Sequence, residues 1–487
     1  MSDERHPEDL GHDDVGRIGN GPMTRRQMLV GASVLGLSAT AAGSLLASNA
    51  LGAPVGGAGA GPSAESGKTA FPQLGVPMPG DPRPDAPELA YRGPFGVGVR
   101  SLRVTNPDQL DILHYSAANP NPRYDRPLPL QVWYPAIIPG HERQLTTYSD
   151  TLGSGPNDPT RPVVPFTFEG RALRDSRPDA RKGPYPLLIV SHGYPGSDVV
   201  LTNLTENLAS KGYVVVAIQH TESTHADAGA LSSTLLNRAL DINFVLKRMA
   251  EFGSKGSHSF LAGVVDADNT ALIGHSMGGY GALICAGAGV TSGFVIASWA
   301  VPGGALHIYQ AGSPDYAALL DPRVKAIVPM APWGGTYGIW NADGLKGLKV
   351  PALFVVGDQD QTAPFTGVKF IFENAVNSDR YELVHQSGDH EVPMNPAPPI
   401  TFTRWREYVY YQEPTLDNTR TNNVNQHFLT AFLGVHLRGE SYKDYIDLAY
   451  VNSNDSNNYK NPNYPAGIWK GFEEWSAVGL EMHHLQP

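Results

Sequence analysis

Short apolar runs alternate with amphipathic segments from about residue 95 onward. Residues 97–104 and 128–134 show the pattern of strands, and residues 186–191 form a continuous apolar run. Such a run is typical of a strand buried on both faces of a mostly parallel sheet. Further strands are predicted at 213–218, 271–273, 326–328, 352–356 and 381–385, and helices at 199–211, 235–249, 278–286 and 423–437. This alternation predicts one α/β domain, with a mostly parallel, doubly wound sheet and helices on both faces.

Four further segments flank or interrupt this domain, which we place at residues 91–437. Residues 1–53 contain Arg25 and Arg26 ahead of a long uncharged run rich in Ala, Gly, Ser and Leu. This pattern resembles a twin-arginine signal peptide, which implies the twin-arginine export machinery as a partner. The run is too weakly apolar for a good anchor, so we expect no stable membrane span after processing. Residues 54–90 are predicted to be a Gly/Pro-rich linker, 438–487 a C-terminal extension, and 288–322 a small lid-like insertion.

Charge and cysteine content exclude several classes of function. The chain has 487 residues, with 36 Lys and Arg against 47 Asp and Glu, a net charge of −11. An acidic balance of this kind gives no electrostatic basis for binding nucleic acid. The chain has one cysteine, which excludes an intrachain disulfide framework and a thiolate-rich metal site. We predict no metal, because His220 and His225 lack further ligands that can be placed beside them.

Residues 274–278 read Gly-His-Ser-Met-Gly and match the pattern G-x-S-x-G. The match follows an apolar strand directly and precedes a helix of small residues, which is the setting in which the pattern carries meaning. A sharp strand-to-helix turn holds its serine in strained backbone geometry and points the hydroxyl out of the sheet edge. Glycines at both ends of the motif avoid side-chain clashes in such a turn. Ser276 is therefore the predicted nucleophile.

A serine hydroxyl becomes a good nucleophile only when an oriented base takes its proton. Two acids, Asp358 and Asp360, end the strand at 352–356, and we favour Asp360 because it lies further into the loop. Asp358 is then a turn residue that binds nearby backbone amides. His390 follows the last strand and is the predicted base, whereas His385 falls within that strand. The chain order serine, acid, histidine is the order expected in this fold.

The negative oxygen formed by serine attack needs two preorganised donors. One is the backbone N–H of Met277, next to the nucleophile. The other is predicted to be the N–H of Tyr194, in the loop after the strand at 186–191, since Pro195 has no N–H to offer. The Tyr194 ring is also a candidate lining of the acyl pocket. His192, in the same loop, is expected to brace the turn by hydrogen bonds rather than to take part in catalysis.

Aromatic residues after the strand at 326–328 are candidates for a substrate pocket. Trp333 stands closest to the strand end, with Tyr337 and Trp340 a few residues further on. Pockets for small molecules are largely apolar and aromatic, so Trp333 is the predicted substrate-binding residue here. The alternative for these rings is core packing.

Four motifs together carry a family resemblance. They are Ser-His-Gly-Tyr at 191–194, Gly-His-Ser-Met-Gly-Gly at 274–279, Gly-Asp-Gln-Asp at 357–360 and Gly-Asp-His at 388–390. The chain resembles the α/β-hydrolases over roughly residues 93–437, and is similar to bacterial esterases of the dienelactone-hydrolase and platelet-activating-factor acetylhydrolase group. The resemblance implies hydrolysis of small, lipid-like or polymeric carboxylic esters through an acyl-enzyme, without a cofactor. Dienelactone hydrolases use a cysteine where this chain has Ser276, so lactone opening is not expected.

Two alternatives to simple ester hydrolysis stay open at this point. The same three side chains could cleave amides, polymer esters or the carbon–carbon bond of a diketone, because the leaving group leaves no clear mark in the sequence. A non-catalytic envelope protein that uses the fold for binding is the other alternative, although a complete set of Ser276, Asp360 and His390 argues against it. In each case the signal segment predicts a periplasmic or secreted protein.

Overall fold

The computed structural model describes residues 78–448, 450–456, 469–473 and 476–487. The predicted signal peptide and most of the predicted linker lie outside the described residues. Within the described ranges, no helix is both long enough and apolar enough to cross a bilayer.

The strands are β1 (Gly96–Leu110), β2 (Arg123–Ile137), β3 (Thr146–Leu152), β4 (Val164–Gly170), β5 (Leu173–Arg174), β6 (Arg177–Pro178), β7 (Tyr185–Ser191), β8 (Val214–Ile218), β9 (Val265–His275), β10 (Val324–Met330), β11 (Ala352–Gly357), β12 (Arg380–His385) and β13 (Leu480–Leu485). The α-helices are α1 (Thr202–Ser210), α2 (Leu231–Gly253), α3 (Met277–Cys285), α4 (Ser292–Val295), α5 (Pro314–Leu319), α6 (Ala342–Leu345), α7 (Phe365–Asn374), α8 (Trp405–Tyr408), α9 (Asn418–Arg438) and α10 (Ser453–Ser456). The predicted strands and helices are all present, most of them longer than their apolar centres indicated.

One large mixed sheet organises these elements, in the order β13-β12-β11-β10-β9-β7-β8-β2-β1-β5. Strands β8, β7, β9, β10, β11 and β12 are parallel, whereas β2 runs antiparallel to both β1 and β8. The parallel strands therefore bring their carboxyl ends to one edge, where the loops that carry chemistry meet. This arrangement confirms the predicted α/β-hydrolase fold class.

Helices cover both faces of the sheet because successive strand residues point to opposite sides. Leu187 and Ile189 of β7 pack into a cluster that includes the buried residues of α2 and α3. Leu188 and Val190 point the other way, into a cluster with α1 and α9. A strand buried on both faces reads as a continuous apolar run, which is why β7 was recognisable in the sequence.

The two ends of the described chain belong to the body of the domain. Residues 78–90, predicted as the end of the linker, contact α9, and Arg83 N–H donates to Asn423 Oδ1 at 2.9 Å. At the other end, β13 pairs antiparallel with β12, with Leu383 opposite Met482. These segments extend the packed structure beyond the predicted domain limits of 91 and 437.

The insertion at 288–322 has a packed part and an exposed part. Tyr309 and Tyr316 are buried, and the Tyr316 hydroxyl donates to the Ile284 carbonyl of α3 at 2.6 Å. Ile296, by contrast, is 79% exposed. Two tyrosines of the predicted lid-like insertion thus attach it to the helices beneath it.

Candidate active site

The turn between β9 and α3 holds Ser276 at φ 54° and ψ −116°. A positive φ is uncommon for a residue other than glycine and requires surrounding structure that enforces it. That enforcement comes from close backbone contacts, since a Cβ at Gly274 would lie 2.1 Å from the Gly278 carbonyl oxygen. A Cβ at Gly278 would lie only 1.9 Å from the Ser191 carbonyl oxygen. The flanking glycines are therefore steric requirements of the turn.

His390 and Asp360 form a buried pair, with His390 Nδ1 2.8 Å from Asp360 Oδ2. Asp360 Oδ1 accepts hydrogen bonds from the backbone N–H groups of Thr362 at 2.8 Å and Ala363 at 2.7 Å. These bonds orient the carboxylate, which only accepts, so Nδ1 carries the ring proton. The second ring nitrogen, Nε2, can then act as a base whenever the imidazole is neutral.

The structure does not bring the rival residues to this pair. Asp358 Oδ1 accepts from the Ser387 backbone N–H at 2.7 Å, which is a turn-bracing role. His385 is buried within β12, where its Nε2 lies 2.9 Å from Asn425 Oδ1. The structure therefore places the favoured acid and histidine together and leaves the alternatives in structural positions.

The nucleophile turn and the histidine loop touch each other. His275, next to Ser276, lies with Nε2 3.1 Å from the His390 carbonyl oxygen, and their rings are 4.7 Å apart. In the described part of the chain, no hydrogen bond joins the Ser276 hydroxyl to His390. Catalytic hydrogen bonds are often long in ligand-free enzymes and shorten when substrate binds.

The loop after β7 runs directly past the nucleophile. A Cβ built on Gly193 would lie 3.4 Å from Ser276 Cβ. The backbone N–H groups of Tyr194 and Met277 have no acceptor among the residues that the structure describes. Both predicted donors are thus unpaired in the part of the molecule where an oxyanion would form. The half-buried Tyr194 ring is fixed by a hydrogen bond from its hydroxyl to the Gly229 carbonyl.

Trp333 lies beside the Ser276 turn, because its backbone N–H donates to the Ser276 carbonyl at 3.1 Å. Its ring stacks on Tyr337, with centroids 4.4 Å apart and planes inclined by 25°. Trp299 of the insertion adds a third ring, 6.2 Å from Tyr337. Trp340 is buried in the core instead. Of the three aromatic residues that the sequence offered for a substrate pocket, Trp333 and Tyr337 are thus the two that are not buried in the core.

Acidic groups surround His390 and decide its protonation. Burial alone would lower the pKa of His390, but the charge and hydrogen bond of Asp360, helped by Glu391 and Asp389, raise it to about 9. Burial also raises the pKa of Glu391 to about 8 and that of Glu413 to about 7. The site therefore favours an imidazolium, which is the form that the base takes once it has accepted a proton.

The loop at residues 192–196, which follows β7, is called the oxyanion loop after its predicted role. The sequence analysis did not predict the buried polar network behind it. Arg238 and Asp241 lie on the buried side of α2, and His220 Nδ1 is 2.9 Å from Asp241 Oδ2. Asp241 is also paired with Arg126, with Nε 2.9 Å from Oδ1. The sequence did offer one sign of this network. Arg238 and Asp241 lie three positions apart among the apolar residues of a predicted helix, and charges that are buried in this way require partners.

The sheet order, the serine turn and the acid–histidine pair together are typical of the α/β-hydrolase fold. Residues 177–302 match the PETase family, described as PET hydrolase-like. The chain is 26% identical over 211 residues to cutinase est1 of Thermobifida alba, covering 43% of this chain and 54% of that protein. It is 26% identical over 180 residues to cutinase 2 of Thermobifida cellulosilytica, covering 37% and 50%.

The match thus spans about half the length of these curated relatives. Among solved structures, the ferulic acid esterase from Streptomyces cinnamoneus aligns with a TM-score of 0.47 at 21% identity, covering 73% of this chain and 94% of that one.

The raised pKa of His390 predicts the pH dependence of any reaction in which it acts as a base. A base must be unprotonated to accept the serine proton, so kcat/KM should fall as the pH drops through the pKa of His390 in the free enzyme. Because Asp360 raises that pKa to about 9, we expect the midpoint of the acid limb well above 6.5. A pH profile of p-nitrophenyl ester hydrolysis measures it, with thermal stability followed over the same range. A midpoint at or below 6.5 would contradict the prediction.

Asp360→Asn and Asp358→Asn form a matched pair two residues apart. Asp360→Asn removes the charge beside His390 and permits the wrong tautomer, so kcat should fall by roughly 10³- to 10⁴-fold. Asp358→Asn alters loop contacts with Ser387 and Gln359 and leaves the Asp360–His390 pair in place, so kcat should change less than about threefold. Steady-state kinetics on the two folded variants make the comparison. Equal losses would show that Asp360 has no special role.

Proposed function

We propose that this protein is a serine hydrolase that cleaves carboxylic esters through an acyl-enzyme intermediate. The observation that carries the proposal is the His390–Asp360 pair beside the strained Ser276 turn. Two unpaired backbone N–H groups, of Tyr194 and Met277, support it as an oxyanion hole. A non-catalytic binding role does not require an acid–histidine pair to lie beside a strained serine turn and two unpaired backbone N–H groups.

In the proposed mechanism, Ser276 Oγ attacks the ester carbonyl carbon while His390 Nε2 takes the hydroxyl proton. The carbonyl oxygen becomes an oxyanion and accepts hydrogen bonds from the backbone N–H groups of Tyr194 and Met277. Asp360 holds the imidazole tautomer and balances its transient positive charge. His390 then returns the proton to the departing alcohol, which leaves the acyl group on Ser276. A water molecule, activated by the same histidine, hydrolyses that acyl-enzyme and restores the serine.

The substrate class is inferred from the relatives and from the aromatic wall. The matched relatives are named cutinases and the matched family PET hydrolase-like, which favours esters, polymeric ones included, over amides or diketones. The stacked rings of Trp333 and Tyr337 offer a flat apolar face beside the nucleophile. We assign Trp333 and the Tyr194 ring to binding the apolar part of the substrate.

We further propose that the protein is exported by the twin-arginine machinery and acts in the periplasm or outside the cell. Support comes from Arg25 and Arg26 ahead of an uncharged, weakly apolar run. An extracellular location is where an enzyme meets polymeric esters that cannot enter a cell.

Ser276→Ala should abolish both covalent labelling and turnover. Removing the nucleophile of a serine hydrolase lowers kcat by roughly 10⁴-fold or more. We expect fluorophosphonate labelling to disappear and hydrolysis of p-nitrophenyl esters of graded acyl length to fall to background. Ser292→Ala, at an exposed serine of the insertion, is the control and should label and turn over like the parent. Undiminished turnover by the Ser276 variant would refute the assignment.

A paired substitution tests the export route. Changing Arg25 and Arg26 together to lysine keeps the positive charge but removes the arginine pair, so the protein should accumulate in the cytoplasm of a host with a twin-arginine system. Immunoblots of cell fractions provide the measurement. Arg17→Lys, outside the pair, is the control and should leave export intact. Normal export of the double variant would exclude this route.

A further inference from the structure

Arg238 lies behind the oxyanion loop, on the buried side of α2. Its Nη1 donates to the His192 carbonyl at 2.6 Å, and its Nη2 donates to the Gly193 carbonyl at 3.2 Å. Nη2 also donates to the Ser223 hydroxyl, and Nη1 lies 3.4 Å from Ser191 Oγ. A buried charge is costly unless it is hydrogen-bonded. Here two of the bonds that offset that cost go to backbone carbonyls of the oxyanion loop.

His192 supplies a second donor to one of these carbonyls. The His220 backbone N–H donates to His192 Nε2 at 3.2 Å, so that nitrogen is an acceptor. The ring proton is thereby assigned to Nδ1, which lies 2.7 Å from the Gly193 carbonyl oxygen and donates to it. The Gly193 carbonyl is therefore held from two directions, by an imidazole N–H and by a guanidinium.

The Gly193 carbonyl shares a peptide plane with the Tyr194 N–H. In a planar trans peptide the C=O and N–H bonds point in opposite directions. Holding the carbonyl against Arg238 and His192 therefore aims the Tyr194 N–H away from them. A flip of this peptide would put a carbonyl oxygen where the oxyanion forms. The positive guanidinium also polarises the peptide and strengthens its N–H as a donor.

We propose that Arg238 and His192 are positioning residues that lock the Gly193–Tyr194 peptide in the orientation needed for the oxyanion hole. The proposal rests on the proposed ester hydrolysis and deepens it. Neither side chain touches substrate, and each acts through the direction of one backbone N–H. The consequence is a selective loss of transition-state stabilisation when either is replaced.

Arg238→Lys is compared with Arg126→Lys, the matched control. Both arginines are buried beside the same acid, but Arg126 pairs with Asp241 and donates to the Thr221 carbonyl, away from the oxyanion loop. A lysine keeps the charge and loses the fork that spans two carbonyls. Since loss of one oxyanion donor costs roughly 10²- to 10³-fold in kcat, we expect Arg238→Lys to lose about 10- to 100-fold in kcat. KM should change little, and Arg126→Lys should lose stability without this loss in kcat.

A trifluoromethyl ketone inhibitor provides a readout that general damage to the fold does not reproduce. Ser276 Oγ adds to its carbonyl carbon, the proton passes to His390, and the carbonyl oxygen becomes an oxyanion in the hole. Its affinity should fall in Arg238→Lys by about the same factor as kcat. Thermal unfolding and circular dichroism identify the variants that fold.

His192 gives a second pair of variants if Arg238→Lys does not fold. His192→Leu removes the donor to the Gly193 carbonyl, whereas His192→Asn places an amide N–H near the position of Nδ1. We expect lower kcat and weaker ketone binding in the leucine variant, with substantial recovery of both in the asparagine variant. No difference between the two, when both are folded, overturns the proposal for His192.

The outcomes separate this inference from the function on which it rests. Absence of Ser276-dependent ester hydrolysis in the parent protein refutes the proposed function itself. An active parent whose folded Arg238→Lys variant keeps its kcat and ketone affinity refutes only the positioning role. An equal loss of kcat in Arg126→Lys likewise refutes it, because that loss would reflect disturbance of the shared network.

Discussion

Close backbone contact at the carboxyl edge of the sheet is the constraint on which the site depends. A Cβ at Gly278 would lie 1.9 Å from the Ser191 carbonyl oxygen, and one at Gly357 would lie 2.3 Å from the Gly388 carbonyl oxygen. The first contact places the Ser276 turn directly against the end of β7 and the oxyanion loop. The second places the loop that carries Asp360 directly against the loop that carries His390. Because backbone meets backbone without intervening side chains, four loops from distant parts of the chain converge to within hydrogen-bonding range.

The features that could be predicted from the sequence are those that local rules determine. Ser276 was recognisable because the glycine pattern, the preceding apolar strand and the following helix are contiguous. Asp360 and His390 could be predicted as partners because the loops that follow parallel strands all lie at one edge of the sheet. A residue just after such a strand is therefore expected near that edge, however distant it is in sequence. The preference for Asp360 over Asp358 rested on its distance past the strand end. In the structure it is Asp360 that pairs with His390.

What could not be predicted depends on partners far away in the chain. Arg238 sits in a helix whose pattern shows only that it is partly buried, and nothing local indicates that it binds the carbonyls of His192 and Gly193. β13 was missed for the same reason, since Leu480–Leu485 becomes a strand by pairing with the edge of β12. Residues 78–90 were assigned to the linker because of their Pro and Gly content. That content indicates stiffness and turns, but it does not indicate whether a segment packs against the rest of the domain.

The described residues include two groupings of serine, histidine and aspartate, and their electrostatic surroundings differ. Ser191 Oγ lies 2.9 Å from His220 Nε2, and His220 Nδ1 lies 2.9 Å from Asp241, as in a catalytic relay. Burial, together with the charges of Arg238 and Arg126, lowers the pKa of His220 well below its usual value. Asp241 shares its charge between His220 and Arg126, whereas the Asp360 carboxylate, among the residues that the structure describes, accepts only from backbone N–H groups besides His390. The same three residue types therefore brace a loop in one place and, in the other, form the acid–histidine pair beside the Ser276 turn that the proposed mechanism uses.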